Sequence, residues 1–113
     1  YERPNGHNEF LEFLENLPQK DQAKLMAVIY KVQIHGLLTA IKMKWVKKVD
    51  DNIFELRSEV GNNIQRALYF HWKGSRYIIT HGFSKKTQKT PRKEILHALA
   101  IYKEFEEEND ANS

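Results

Sequence analysis

Apolar residues recur every three or four positions at the start of this chain and give way in its middle to short segments of β-branched and aromatic residues, and the change of pattern marks a change of structure. Phe10, Phe13, Leu14 and Leu17 share one side of a helix predicted over 8–17, with Asn8 placed to cap its free N–H groups. Pro18 stops that helix and opens a second, in which Leu25, Val28, Ile29 and Val32 repeat the spacing and Gly36 fits a C-terminal cap. Two amphipathic helices in succession predict a helical hairpin. The segments 53–57, 64–72 and 76–83 are then rich in β-branched and aromatic residues, which predicts strands. Gly61-Asn62-Asn63 and Lys73-Gly74-Ser75 between them are turn signals. Trp45-Val46-Lys47-Lys48-Val49 predicts a short edge strand, its lysines discouraging pairing with other chains. Helical spacing returns over 91–107, with Ile95, Ala98, Leu99, Tyr102 and Phe105 as the buried stripe. The expected fold is α+β: an N-terminal helical hairpin packed on a three- to four-stranded antiparallel sheet, then a C-terminal helix, with the helices on one sheet face.

The length of 113 residues allows one core, so a single domain over 1–113 is expected. No run of about 18 apolar residues is present, which predicts no membrane span, and there is no signal-peptide pattern. The absence of cysteine rules out disulfides and thiolate metal sites and suits the cytoplasm. Charge changes the picture more. Lys42, Lys44, Lys47 and Lys48 form one basic cluster and residues 85–93 another, whereas Glu104, Glu106, Glu107, Glu108 and Asp110 make the end acidic. The body is therefore cationic and favours an anionic partner, the plain alternative being a solvated lysine-rich surface.

The second basic cluster is the more pointed one. Thr90-Pro91 reads as a helix start, Thr90 capping and Pro91 at the first helical position. Lys85, Lys86 and Lys89 precede it and Arg92 and Lys93 lie in the first turn, where cations oppose the helix dipole. Such crowding helps anion binding rather than stability. Arg57 and Arg66 lie on adjacent predicted strands, either as functional cations or as surface arginines paired with Glu55 or Glu59. Period-two alternation places His81 with Tyr77, Ile79 and Phe83, either as a proton-transfer group or as a buried core histidine. Trp45, Phe70, Trp72 and Phe83 can stack on bases, but at least two are expected in the core. His71 and His97 read as surface or packing residues. The histidines show no ligand spacing, so neither a metal nor another cofactor is expected.

These segments also carry a resemblance. Phe54-Glu55-Leu56-Arg57, Arg66-Ala67-Leu68-Tyr69-Phe70, Ile78-Ile79-Thr80-His81-Gly82-Phe83, Lys85 to Pro91, and Glu94, Ile95 and Ala98 resemble, in order, the strands, basic loop and last helix of the RelE/HigB-type toxins of bacterial toxin–antitoxin pairs, in particular their phage-associated branch. The resemblance implies a toxin that is a ribosome-dependent, metal-independent mRNA endoribonuclease. Its partners would be ribosome, mRNA and a cognate antitoxin of helix-turn-helix DNA-binding type, with no membrane. The 2′-hydroxyl attacks the adjacent phosphorus, so the site must move two protons and stabilise phosphoryl charge. Arg57, Arg66, His81 and Lys85 are the expected catalytic groups, and Lys86, Thr87, Lys89, Arg92, Lys44 and Lys47 the expected RNA contacts. A gyrase-poisoning ParE-like toxin and a catalytically inactive RNA- or protein-binding domain of the same fold are the alternatives. Two positions depart from the family pattern: its N-terminal edge strand is expected to be truncated or missing at Tyr1-Glu2-Arg3, and Glu104-Phe105 stands where many members have Asp-Tyr.

Overall fold

The computed structural model describes residues 1–3, 6–73, 76–84 and 89–110. In chain order it contains α1 (Glu9–Glu15), α2 (Gln19–Lys42), β1 (Val46–Asp50), β2 (Ile53–Val60), β3 (Asn63–Trp72), β4 (Arg76–Ser84) and α3 (Arg92–Asp110). The four strands form an antiparallel meander in the order β1-β2-β3-β4. The expected α+β architecture is therefore present.

Local chemistry explains most boundaries. The Asn8 side chain accepts from the Leu11 amide at 3.0 Å and caps α1. Gly36 is not the end of α2. It adopts φ 84°, ψ 170° inside the helix, a break that costs glycine little, and the helix resumes because Leu37 and Ala40 pack into the core with Val46. At α3 the Pro91 carbonyl, not the Thr90 side chain, receives the first helical amides, those of Glu94 and Ile95. The Thr90 hydroxyl goes to Glu55 instead.

Helices lie on both faces of the sheet, not on one. Phe54, Leu56, Ala67 and Tyr69 face α1 and α2 with Phe10, Leu14, Leu25, Val28 and Val32. Ile53, Leu68, Phe70, Trp72 and Phe83 face α3 with Ala98 and Phe105. The reason is legible in β3, where Ala67, Leu68, Tyr69 and Phe70 are apolar in succession, so both faces of the strand need cover. α1 sits close enough that a Cβ on Gly82 would come within 2.2 Å of the Phe13 ring.

One irregularity redirects β4. Leu68 pairs with His81 but Tyr69 pairs with Ile79, so Thr80 is an extra, bulged residue. Its hydroxyl donates to the Leu68 carbonyl at 3.1 Å. Tyr77 and Ile79 consequently join the α1/α2 core, while His81 and Phe83 turn to the α3 side. The four do not share a face. At the β4 edge, the Tyr1 ammonium donates to the Ile79 carbonyl at 2.7 Å, and residues 1–3 carry no strand.

α2 is the one helix among the described residues long and apolar enough by composition to cross a membrane, which the absence of an 18-residue apolar run did not anticipate. Its Leu25, Val28 and Val32 side is buried on the sheet.

Candidate functional site

The α3 side of the sheet is apolar at one end and charged at the other. Antiparallel register sets Arg57 directly opposite Arg66, and Lys47 directly opposite Glu55. Like charges opposite one another repel across strands. Glu55 compensates: its Oε2 lies 3.7 Å from Arg66 Nη1, and its Oε1 lies 3.8 Å from Lys47 Nζ and 4.0 Å from Arg57 Nη2. Thr90 Oγ1 donates to Oε2, which ties the chain entering α3 to this carboxylate. Arg66 Nη1 donates to the Lys89 carbonyl at 3.4 Å.

Glu55 and Arg66 are wholly buried, whereas the side chains of Arg57 and Lys47 are 30% and 44% exposed. Burial pulls the Arg66 pKa down, Glu55 pulls it back up, and the neighbouring Arg57 charge lowers it again; a guanidinium stays protonated throughout the working range. Three cations thus share one carboxylate. A cavity of about 240 Å³ lined by Ile41, Lys44, Trp45, Val46, Lys47, Glu55 and Arg57 opens on one side of Lys47. A second, of about 220 Å³, adjoins Lys48, Lys89 and Thr90 on the other. Larger clefts exist, but one has acidic Glu2 and Glu108 in its wall and the other Asp21, which disfavours an anion there.

The expected site residues separate into groups. Arg57, Arg66, Lys47 and the Lys89 backbone come together. Lys44 is exposed, adopts a left-handed φ of 65° and lines the larger of the two cavities. Arg92 points to Asp50, 3.9 Å away. Lys85, Lys86 and Thr87 lie outside the described residues. Glu55 was expected only as one of two acids that could pair with the arginines, and it is the one both of them meet; Thr90 was expected only as a cap. The signal for Glu55 was its place between apolar neighbours in β2, where a carboxylate must have partners; Thr90 gave none, because a threonine before a proline reads first as a cap.

His81 stands apart from the arginines. Phe83, not His81, pairs with Arg66, and the Phe83 ring lies 6.0 Å from the His81 ring. Since Thr80 gives its proton to Leu68, His81 Nδ1 donates to Thr80 Oγ1, at 3.0 Å. His81 Nε2 then faces Glu94 Oε1 at 3.4 Å, and the His97 ring packs at 4.6 Å. Burial, with His97, pushes the His81 pKa below the usual histidine value, against Glu94 and Glu9. The network runs on through His97 Nε2 and Glu9 at 2.8 Å, Glu9 and Arg3 at 3.0 Å, and Arg3 and Glu104 at 3.2 Å. His97 is therefore part of a bracket between α1 and α3, and His71 is a packing residue, stacked 4.8 Å from Phe54.

Of the four candidate stacking aromatics, Phe70, Trp72 and Phe83 are buried. Trp45 is half-buried beside the cavity, with His35 at 5.8 Å and Lys31 Nζ 5.5 Å from its ring. Phe105 packs on Phe70 and Trp72 at 5.5 and 5.0 Å. It lies about 20 Å along α3 from the helix start, so a hydroxyl there would not reach Arg57. Among the described residues no group of three or more His, Asp or Glu stands together as a metal-ligand set.

A family model matches residues 12–103, which takes in every described member of the Glu55 cluster. The chain belongs to the Gp49-like family of phage-derived proteins (DUF891). That family is toxin-like, and the coarse identity expected from the β2–α3 motifs is therefore shown. No curated protein matches the chain.

Proposed function

We propose that this Gp49-like protein is the toxin of a toxin–antitoxin pair, a cytoplasmic, metal-independent endoribonuclease acting on ribosome-bound mRNA. The observation that carries the reading is the group of Arg57, Arg66 and Lys47 around the single buried carboxylate of Glu55. The positive charge faces a cavity walled by Lys44, Lys47, Glu55 and Arg57, where a phosphodiester gains from fixed cations.

In this mechanism Arg57 and Lys47 meet the phosphoryl oxygens. As the 2′-hydroxyl gives its proton to water and attacks phosphorus, and the 5′-oxygen leaves and takes a proton from water, charge grows on the phosphoryl oxygens, and donors already in place stabilise it without reorganisation. Arg66 is too buried to touch RNA in this state; it supplies field and, through Glu55, fixes Arg57. Glu55 holds the cations apart and keeps Lys47 and Arg57 aimed at one point. Lys44, Lys89 and the basic segment 85–87 extend the phosphate track. The antitoxin, a helix-turn-helix protein in this reading, covers the cationic surface.

Mapping mRNA 5′ ends after brief induction tests the proposal. New ends inside translated frames are expected, and their loss in Arg57→Ala at matched protein level. Growth arrest with unchanged mRNA ends and DNA damage would replace the nuclease with a gyrase poison.

A further inference from the structure

The least explained surface lies on the far side of α2. Leu25, Val28 and Val32 bury one side of this helix. The opposite side is also apolar: Met26, Tyr30 and Ile34, each four residues apart, are 45%, 63% and 58% exposed. Exposed Ala23 lies between Tyr30 and Ile34 on the helical wheel, and exposed Ala27 borders the ridge just beyond Ile34, on the side toward Lys20. A large apolar ridge of this kind on a small protein marks an interaction surface. The alanines leave a shallow trough between larger side chains, the relief into which a second helix packs.

The flanks are chemically unlike. At 3.6 residues per turn, Lys20, Lys24 and Lys31 fall along one edge of the ridge, and Gln22 and Gln33 along the other. Asp21, the one acid in α2, is buried and accepts from Gln65 at 2.8 Å, so it does not offset those lysines. We infer that the outer face of α2 docks an amphipathic helix of a separate protein whose carboxylates run along one edge, opposite Lys20, Lys24 and Lys31. The apolar ridge supplies affinity, and the one-sided charge fixes which way the partner lies.

The same asymmetry argues against the other occupants. A helix lying in an anionic membrane surface carries lysines on both flanks, where their stems reach the headgroups. A two-fold antiparallel pair of α2 helices would set lysine edge against lysine edge. Beyond the Gly36 break the exposed apolar positions continue at Leu38 and Ile41, and Ile41 lines the cavity beside Arg57. Nothing in this surface depends on RNA cleavage.

The test uses the full chain and two labelled helical peptides with the same leucine face. One carries Glu along one edge and Gln along the other; the second carries Lys in place of Glu. Fluorescence anisotropy should show the Glu peptide binding at least about tenfold tighter than the Lys peptide. The Lys20→Gln, Lys24→Gln, Lys31→Gln triple variant should erase most of that difference, and Ile34→Glu should lose both peptides with an unchanged circular dichroism spectrum. Equal binding of the two peptides, or binding of neither, overturns the inference. So does α2-dependent binding to vesicles containing phosphatidylglycerol, or a dimer in sedimentation that Ile34→Glu dissolves.

Discussion

Two ionic clusters lie under the α3 side of the sheet, and they differ in balance. Around Glu55, one carboxylate faces Lys47, Arg57 and Arg66. Around His81 and His97, the carboxylates Glu9, Glu94 and Glu104 face two histidines and Arg3. The second cluster shows no surplus of positive charge and ties α1, β4 and α3 together. Among the described residues, the first sets three cations around one carboxylate beside a cavity. Burial alone does not distinguish a functional site from a structural bracket; the surplus of one sign, with a way in from solvent, does.

The sharpest way to break that contrast is to remove the hub. Glu55→Ala leaves Arg66 buried without its counter-charge and should cost about 3–5 kcal/mol of stability. Glu94→Gln, in the balanced cluster, keeps volume and polarity and should cost about 1 kcal/mol. Urea denaturation of the two variants decides it, and equal losses would remove the distinction. Arg57→Ala should lower mRNA cleavage by about 10²–10³ while stability changes by under about 1 kcal/mol. A large stability loss with intact cleavage would make Arg57 structural.

Gly82→Ala probes the packing of α1 on the sheet, next to His81. Its methyl would run into the Phe13 ring, so that ring or α1 beneath it must shift, at a cost of about 1–3 kcal/mol. Cleavage by the folded fraction should be unchanged, as read from activity normalised to folded protein. The smallest effect is on pH dependence. Burial lowers the His81 pKa in the folded state, so the unfolded chain binds its proton more readily. Stability from this residue is complete above the unfolded value of about 6.5 and is lost as pH falls through the folded one. His71, lowered by burial, acts in the same direction. Melting temperature should therefore drop from pH 7.5 to pH 5, and His81→Gln should flatten part of that slope. A slope unchanged by the substitution would take His81 out of the bracket.

Much of the fold was legible because the signals were local. The α1 cap at Asn8, the helical stripe of α3 and the hairpin of β2 and β3 follow from spacing and composition. Arg57 and Arg66 became neighbours as soon as the β2–β3 pairing was set. What escaped depended on tertiary context. A glycine in α2 looks the same whether the helix ends there or resumes, and the packing of Ala40 made it resume. The Thr80 bulge moved His81 away from Tyr77 and Ile79, which alternation alone cannot foresee. Thr90 carried a cap signature, yet Glu55, distant in sequence, captured its hydroxyl. Sheet faces covered on both sides were visible in the unbroken apolar run from Ala67 to Phe70 in β3, and the expectation of one covered face gave that run too little weight.

The most direct measurement follows the side-chain Nε signals of Arg57 and Arg66 and the ring signals of His81 and His97 by NMR, while a short 2′-O-methyl RNA that cannot be cleaved is added. The excess-charge account predicts that Arg57 shifts strongly, Arg66 shifts less through Glu55, both effects fade with salt, and the histidines stay still. Arginine signals that do not move, or movement confined to the His81 and His97 rings, would contradict it.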